Sequence, residues 1–219
     1  KGMKTCRNLV FVLGDQLDHH SSAFADFDAA RDRVFMAEVR DESTHVWSSK
    51  QRTAFFFAAM RHFAAELRDQ RRSVDYQKIG THDAASLVAA LKVAITQHQP
   101  QKVVMVEPGD WRVEQSLRSF AAESAVNLVM REDTHFMCSR HDFTEWARGY
   151  KQYRQEYFYR MMRKRYQVMM EGDQPLQGLW NFDAENRGAF AKAGPAKVPA
   201  PFRVAPDAIT REVIADVHR

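Results

Sequence analysis

The sequence predicts a doubly wound α/β fold, in which one parallel sheet of five strands is covered by helices on both faces. Residues 8–13 form an almost continuous apolar run, as expected for a strand buried on both faces of a sheet. Gly14 ends that run abruptly. Strand-like and helix-like segments then alternate, and this alternation predicts parallel strands joined by right-handed crossovers. We therefore expect a Rossmann-like sheet with the strand order 3-2-1-4-5, followed by a helical linker segment.

Each of the five strands is predicted from a short apolar or β-branched run bounded by polar or turn residues. Residues 21–32, between the first two strands, are polar and are predicted to form a loop with a helical turn. Glu38 lies near the end of the second strand, and Glu107 ends the fourth. The predicted strands are residues 8–13, 33–39, 73–79, 102–107 and 126–130.

Helices are predicted between the later strands, because apolar residues recur there at spacings of three and four. Ser48 and Ser49 can cap a helix over residues 50–70. The cations in its first turn oppose the helix dipole and hint at an anionic or carbonyl partner. A second helix is expected to open at Asp83, and a third to extend from Trp111 to Ala125.

The pattern changes after residue 138. Ser139 followed by Asp142 resembles a capping box, and one long helix is predicted from about His141 to Met170. The proline- and glycine-rich stretch that follows is typical of a connector, and a last helix is predicted from near Asp207. We therefore expect an α/β domain at residues 1–138, a long helix and linker at 139–206, and the start of another helical domain at 207–219.

The composition indicates a globular protein, since 45% of the residues are hydrophobic and 27% are charged. No apolar run approaches the roughly 20 residues of a membrane-spanning helix, so no membrane association is predicted. Two cysteines, Cys6 and Cys138, form no disulfide framework, which predicts a reducing cytoplasm. A net charge of +4 permits a polyanionic partner without identifying one. The oligomeric state stays open.

A small-molecule site is predicted at the carboxyl edge of the sheet, where ligands bind in open parallel sheets. Residues 14–17 set a carboxylate and an amide directly after the first strand. The alternative for Asp15 is a tight turn in which it caps neighbouring amides, and for Trp111 it is ordinary core packing. The candidate residues are Gly14, Asp15, Gln16, Leu17, Glu38, Glu107, Asp110 and Trp111.

Two other patterns in the sequence could indicate a metal site or a nucleic-acid site. His135, Cys138 and His141 are spaced by three, but no fourth ligand is near and the run crosses from loop into helix, so no metal site is predicted. The basic and aromatic run at residues 148–166 suits single-stranded nucleic acid. Its alternative is an amphipathic helix with packed aromatics and solvated cations. The candidates for nucleic-acid or domain contact are Arg154, Arg160, Arg163 and Lys164.

Six segments of the chain together resemble a known family. They are GDQL (14–17), EVRDEST (38–44), EPGDW (107–111), REDTHFMCS (131–139), EYFYRMMR (156–163) and EGDQPLQGLWNFDAENR (171–187). In this order they resemble the photolyase-related proteins of bacteria, the iron–sulfur branch of the photolyase and cryptochrome superfamily, which includes bacterial (6-4) photolyases. The resemblance extends from Asn8 to Arg187, and WNFDAENR is its most distinctive part.

The resemblance implies an N-terminal antenna domain that often binds 6,7-dimethyl-8-ribityllumazine and passes excitation to FAD in a helical domain. It also implies a [4Fe-4S] cluster on four cysteines, whereas this sequence has two. We therefore expect the 219 residues to be the N-terminal part of a longer protein. The missing part would hold FAD and the cluster, and it would bind DNA. It would also carry out the photolyase chemistry, in light-driven DNA repair or blue-light sensing. This chain alone would not be catalytic.

Three expectations follow from this interpretation. The candidate residues of the sheet edge contact the chromophore, and Glu38→Ala weakens its binding roughly tenfold to a hundredfold while the fold survives. The apolar face of the last helix, with Ile209, Val213 and Ile214, is exposed because its partner domain is absent. Two functions remain as alternatives to an antenna domain. They are a nucleic-acid-binding module and a general mononucleotide-binding domain of the same topology.

Overall fold

The computed structural model describes residues 6–183, 188–195 and 198–218 of the chain. These residues belong to two units. Lys1–Phe136 and Ala205–Arg219 form the first, called the α/β unit, and Met137–Val204 form the second, called the linker unit. The last residues of the distinctive WNFDAENR segment, Ala184–Arg187, lie outside the described residues.

Five parallel strands form the sheet of the α/β unit, in the predicted order β3-β2-β1-β4-β5. Leu9 on the central strand pairs with Arg33 on one side and with Val103 on the other. Val12 and Leu13 stay buried beyond the last residue of β1, so the apolar run is longer than the strand. The strands are β1 (Asn8–Phe11), β2 (Arg33–Ala37), β3 (Val74–Gln77), β4 (Lys102–Val106) and β5 (Leu128–Arg131).

Apart from the short helix Asp41–Thr44, the helices of the α/β unit begin at side-chain caps that satisfy free backbone N–H groups. Ser49 accepts from Arg52 N, as predicted. The prediction that Asp83 opens the next helix is wrong, because Ser86 accepts from Ala89 N and caps it instead. The helices are α1 (Asp41–Thr44), α2 (Lys50–Asp69), α3 (Leu87–His98), α4 (Trp111–Glu123) and α7 (Ala208–His218), with a short 3-10 turn at Ser22–Phe24.

The core lies in two layers, one on each face of the sheet. Successive strand residues point to opposite faces, so Val10 packs with Leu67 of α2, whereas its neighbour Leu9 packs with Leu91 of α3 and Leu117 of α4. Each fully buried aliphatic side chain of this kind contributes about 1.5 to 3 kcal/mol. Because all five strands are parallel, their carboxyl ends lie at the same edge of the sheet.

Helix α7 packs against α2 within the α/β unit. Val213 is fully buried in the core layer that contains α2, although Ile214 is 38% exposed. Asp207 accepts from Thr210 N and lies 2.6 Å from Nε2 of His62 on α2. The structure thus differs from the prediction that residues 207–219 begin a separate domain with an exposed apolar face.

The linker unit contains two helices where one long helix was predicted. They are α5 (Arg140–Ala147) and α6 (Gln155–Tyr166). Trp146 and Phe158 would lie about 18 Å apart along one straight helix, but their ring centroids are 5.1 Å apart. The chain turns at Gly149, which is a poor helix former. The turn folds α6 back towards α5, and this brings the aromatic rings into one cluster. A short antiparallel hairpin follows, with β6 (Met170–Glu171) and β7 (Gln174–Pro175).

None of the helices in the described part of the chain combines the length and the apolar character of a membrane-spanning helix.

Candidate functional site

A cavity of about 330 Å³, called the first cavity, lies at the carboxyl edge of the sheet. It is formed by the residues that follow β1 and β2, the segment around α1, the first turns of α2 and the start of α4. Its apolar lining includes Leu13, Ala37, Val39, Phe56, Phe57, Met60, Leu87 and Val113. Its polar lining includes Asp15, Glu42, Ser43, His45, Ser48, Arg52, Thr53 and Asp110.

A second cavity of about 290 Å³ adjoins the first, with which it shares Gly14, Asp15 and Phe56. Residues 14–18 and the segment after β5 supply most of its polar groups. The sequence-predicted Gln16 and Leu17 line this cavity only. The remaining lining residues are Asp18, Ser21, Phe55, Ala59, Val106, Asp133, His135 and Phe136.

Gly14 allows the chain and α2 to approach closely at this edge. A Cβ atom on Gly14 would lie 2.8 Å from Sδ of Met60, which is closer than real Cβ contacts. Because Met60 is itself buried and lines the first cavity, any larger residue at position 14 would displace it. The sharp end of the apolar run therefore reflects a packing requirement beside the cavity.

Asp15 is a carboxyl group that faces both cavities. Burial raises its pKa, and the nearby carboxylates Asp133 and Asp110 raise it further, against a hydrogen bond from its own backbone N–H. Within the described ranges, no basic side chain forms an ion pair with it. A ligand that donates an N–H or O–H group would therefore stabilise the ionised form of Asp15.

Gln16 and Glu107 tie two strand ends together. Gln16 Nε2 donates to the carbonyl oxygen of Glu107 at 2.9 Å, which bridges the residues that follow β1 and β4. Glu107 lines neither cavity. The sheet edge thus brings these residues together as predicted, but through a backbone carbonyl rather than through the Glu107 carboxylate.

Glu38 does not lie at the cavities. It is 1% exposed and accepts from Arg61 Nε at 2.7 Å and Arg61 Nη2 at 2.9 Å. It also accepts from the Tyr76 hydroxyl at 2.6 Å and from Ile79 N at 2.9 Å. Ala37 and Val39 line the first cavity, so alternation along the chain turns Glu38 to the opposite side. The prediction that Glu38 contributes little to the fold is corrected by these four hydrogen bonds.

Asp110 and Trp111 have different positions from each other. Asp110 lines the first cavity and caps α4, since its Oδ1 accepts from Arg112 N at 2.7 Å. Desolvation opposes ionisation of Asp110, but the backbone N–H groups of Arg112 and Val113 prevail and lower its pKa. Trp111 is 72% exposed and lines neither cavity, so it is not packed in the core, and its stacking on a chromophore ring stays a prediction.

Arg52 is a cation that lines the first cavity but was not among the candidate site residues predicted from the sequence. Its guanidinium lies 5.6 Å from the centroid of the Phe56 ring, and Phe56 lines both cavities. In the part of the chain that the structure describes, no carboxylate forms an ion pair with Arg52. Arg52 lies in the first turn of α2, where a cation opposes the helix dipole. That unfavourable position is the feature of the sequence that could have identified Arg52 as a site residue.

Two chemical properties of the described residues bear on metal and thiol chemistry. Among residues 6–183, 188–195 and 198–218, no group of three or more His, Cys, Asp or Glu side chains could hold a metal ion. Cys6 is buried, and its thiol donates to Asn8 O at 3.2 Å. Burial raises the pKa of both Cys6 and Cys138, which makes both thiols less reactive.

The basic side chains of α6 contact other residues of the linker unit. Arg163 is 3% exposed and donates to the backbone carbonyls of Val168, Met169 and Trp180. Arg160 pairs with Glu156. Three cations, Arg160, Arg163 and Lys164, lie within 5.8 Å of the Trp180 ring centroid, and Arg154 lies 5.8 Å from that of Tyr157. Arg163 is therefore a structural residue rather than a nucleic-acid contact.

Replacing Arg163 with alanine should destabilise the linker unit by at least about 1.5 to 3 kcal/mol, because charge-assisted hydrogen bonds to several carbonyls are lost. Hydrogen exchange of residues 168–180 should become faster. The matched control is Arg154→Ala, which removes an exposed arginine and should change stability by no more than about 0.5 kcal/mol. Unchanged exchange in Arg163→Ala would refute the structural role.

The chain is similar to a family model and to a curated protein. A family model described as "Deoxyribodipyrimidine photo-lyase-related protein" matches residues 10–219. A "(6-4) photolyase" of Agrobacterium fabrum (strain C58 / ATCC 33970) is 41% identical to this chain over 213 residues. The alignment covers 96% of this chain and 41% of that relative, so the chain spans less than half the length of the curated relative.

Proposed function

Because this chain belongs to the deoxyribodipyrimidine photolyase-related protein family, we propose that its α/β unit is an antenna domain for a lumazine-type chromophore, 6,7-dimethyl-8-ribityllumazine. The observation that carries the proposal is the pair of adjoining cavities around Asp15 at the sheet edge. When bound, the lumazine supplies absorption of near-ultraviolet or blue light, and its excitation passes to FAD in the longer protein.

The size and lining of the first cavity suit a flat heterocycle. Its volume of about 330 Å³ lies in the range of small-molecule sites. Phe56, Phe57 and Met60 of α2 provide apolar contact from one helix, and Leu13 and Val39 provide it from the chain after two strands. Such an apolar lining favours contact with the faces of a ring, and its polar residues are available to the edges of the ring.

Polar residues of both signs suit the edges of the same ring. Arg52 is a donor without a carboxylate partner among the described residues, and it suits a ring carbonyl. Asp15 suits a ring N–H or a side-chain hydroxyl. Ser48 and Thr53 line the cavity near Arg52 in sequence and supply both donors and acceptors. These residues would hold the chromophore and orient it.

The other cofactors do not fit this chain. A [4Fe-4S] cluster needs four thiolates, and the sequence has only Cys6 and Cys138, which belong to different units. We therefore assign the cluster and FAD to the part of the longer relative that this chain does not match. Light-driven DNA repair or blue-light sensing, with DNA as the partner, is proposed for that full-length protein and not for this chain alone.

Replacing Asp15 with alanine should weaken binding of 6,7-dimethyl-8-ribityllumazine roughly tenfold to a hundredfold, because one charge-assisted hydrogen bond of about 1.5 to 3 kcal/mol is lost. Titration followed by lumazine fluorescence measures the affinity. Trp111→Ala is the matched control, since Trp111 was also predicted from sequence but lines neither cavity. No binding to the parent chain, or a loss in Trp111→Ala alone, would contradict the proposed site.

A further inference from the structure

One wall of the first cavity is formed by residues 41–48, called the strap, which join β2 to α2. Both ends of the strap are fixed, because Val39 is 2% exposed and Ser49 caps α2. Near its β2 end, Asp41 N donates to Ala85 O at 3.1 Å. Five of the eight strap residues line the cavity: Glu42, Ser43, His45, Val46 and Ser48. A movement of the strap therefore changes access to the cavity.

Little apolar burial holds the middle of the strap in place. Its one-turn helix α1 contains no buried residue, and no side chain caps the first turn of that helix. The apolar side chains of the strap pack on little, since Val46 is 66% exposed and Trp47 is 97% exposed. Segments with few buried apolar contacts open locally at a small cost in free energy. The strap is thus the part of the cavity wall that opens most easily.

An ion pair ties the strap to α4, whose start forms another part of the cavity wall. Arg112 Nη2 donates to the two carboxylate oxygens of Glu42, at 3.0 and 2.9 Å. The Glu42 side chain is 34% exposed and that of Arg112 is 41% exposed. An ion pair in such contact with water contributes little stability and is weakened by salt. The contact between the strap and α4 is therefore one that breaks and forms again readily.

We infer that the strap is a gate, which opens the first cavity when the ion pair between Glu42 and Arg112 breaks, and so sets the rate of chromophore exchange. The inference rests on the proposed function and concerns the regulation of the same site. Arg112 lines neither cavity, so it stabilises the closed strap equally with and without a bound ligand. Losing Arg112 therefore speeds entry and exit by the same factor and leaves the affinity unchanged.

The experiment measures association and dissociation of 6,7-dimethyl-8-ribityllumazine with the whole chain by stopped-flow fluorescence. Arg112→Met should raise both rate constants by about twofold to fivefold, as expected for the loss of an exposed ion pair, and change the dissociation constant by less than about twofold. Arg112→Glu should raise both rate constants further, because two carboxylates then face each other. Added salt should speed exchange in the parent chain and have little effect in Arg112→Met.

Arg118→Met is the matched control, because Arg118 is also an exposed arginine of α4 but pairs within that helix, with Glu114. Its exchange rates should equal those of the parent chain. Hydrogen exchange of residues 41–48 in the ligand-free chain provides a measurement that needs no chromophore. It should be faster in Arg112→Met than in Arg118→Met.

The outcomes separate the gate from the proposed function. Parent-like rate constants in Arg112→Met, or equal hydrogen exchange of the strap in the two variants, would overturn the gate and leave the antenna function standing. A rise in the dissociation rate alone would also overturn the gate, because Arg112 would then hold the ligand directly. Failure of the lumazine to bind the parent chain would overturn the proposed function and the inference with it.

Discussion

Replacing Glu38 with alanine is expected to destabilise the α/β unit by about 3 kcal/mol, because it breaks the buried ion pair with Arg61, although Asp216 at 2.8 Å still compensates part of the Arg61 charge. Arg61 is 5% exposed and uses two of its nitrogens on the Glu38 carboxylate. The Tyr76 hydroxyl and the Ile79 N–H would lose their acceptor as well. This loss is a large part of the stability of an ordinary domain.

Chemical denaturation of the whole chain measures this effect. Glu66→Ala is the matched control, because Glu66 also pairs across elements, with His19, but its side chain is 58% exposed, so the expected change is at most about 1 kcal/mol. A change below 1 kcal/mol in Glu38→Ala would show that the buried network is not structural.

Replacing Thr53 with tryptophan is expected to abolish lumazine binding, with a loss of affinity above roughly a hundredfold. Thr53 is half-buried on α2 and lines the first cavity, which holds only about 330 Å³. An indole placed there occupies the space of a bicyclic ring. Because the side chain fills a cavity rather than a packed core, the cost in stability should stay below about 1.5 kcal/mol.

Gln51→Trp provides the control for that substitution. Gln51 precedes Thr53 by two residues in the first turns of α2, is exposed and lines neither cavity. Lumazine fluorescence should therefore report parent-like affinity for Gln51→Trp and none for Thr53→Trp. Parent-like affinity in both variants would place the chromophore outside the first cavity.

Local sequence patterns were sufficient for most of the sheet and not for the linker unit. The apolar runs predicted all five strands and their order, because every run except that of β3, which includes Asp75 and Gln77, is apolar on both faces, and right-handed crossovers limit the topology. Ser49 and Ser139 were recognised as caps from their own side-chain chemistry. The break between α5 and α6 depends on ring contacts between Trp146 and Phe158, which no local periodicity reports.

The candidate site was only partly predictable for the same reason. Residues 14–17 and Asp110 follow strand ends, and the structure places all of them at the cavities. Glu38 also follows a strand, but its partner Arg61 comes from α2 and lies far away in sequence. Ala37 and Val39 line the first cavity, so the alternation of side chains along the chain could have excluded Glu38 from the predicted site. The ion pair of Glu38 with Arg61 could not have been predicted from the spacing of residues in the sequence.

The docking of α7 makes the α/β unit discontinuous in the chain, with the linker unit inserted between Phe136 and Ala205. During synthesis, all five strands are therefore released before the helix that carries Val213 and Asp216. Until that helix arrives, the core lacks the fully buried Val213 side chain, and Arg61 lacks a carboxylate at 2.8 Å. Closing so long a loop costs little more entropy than closing a short one. The effect is on the rate of folding, because the last contacts of the α/β unit can form only after the linker unit has been synthesised.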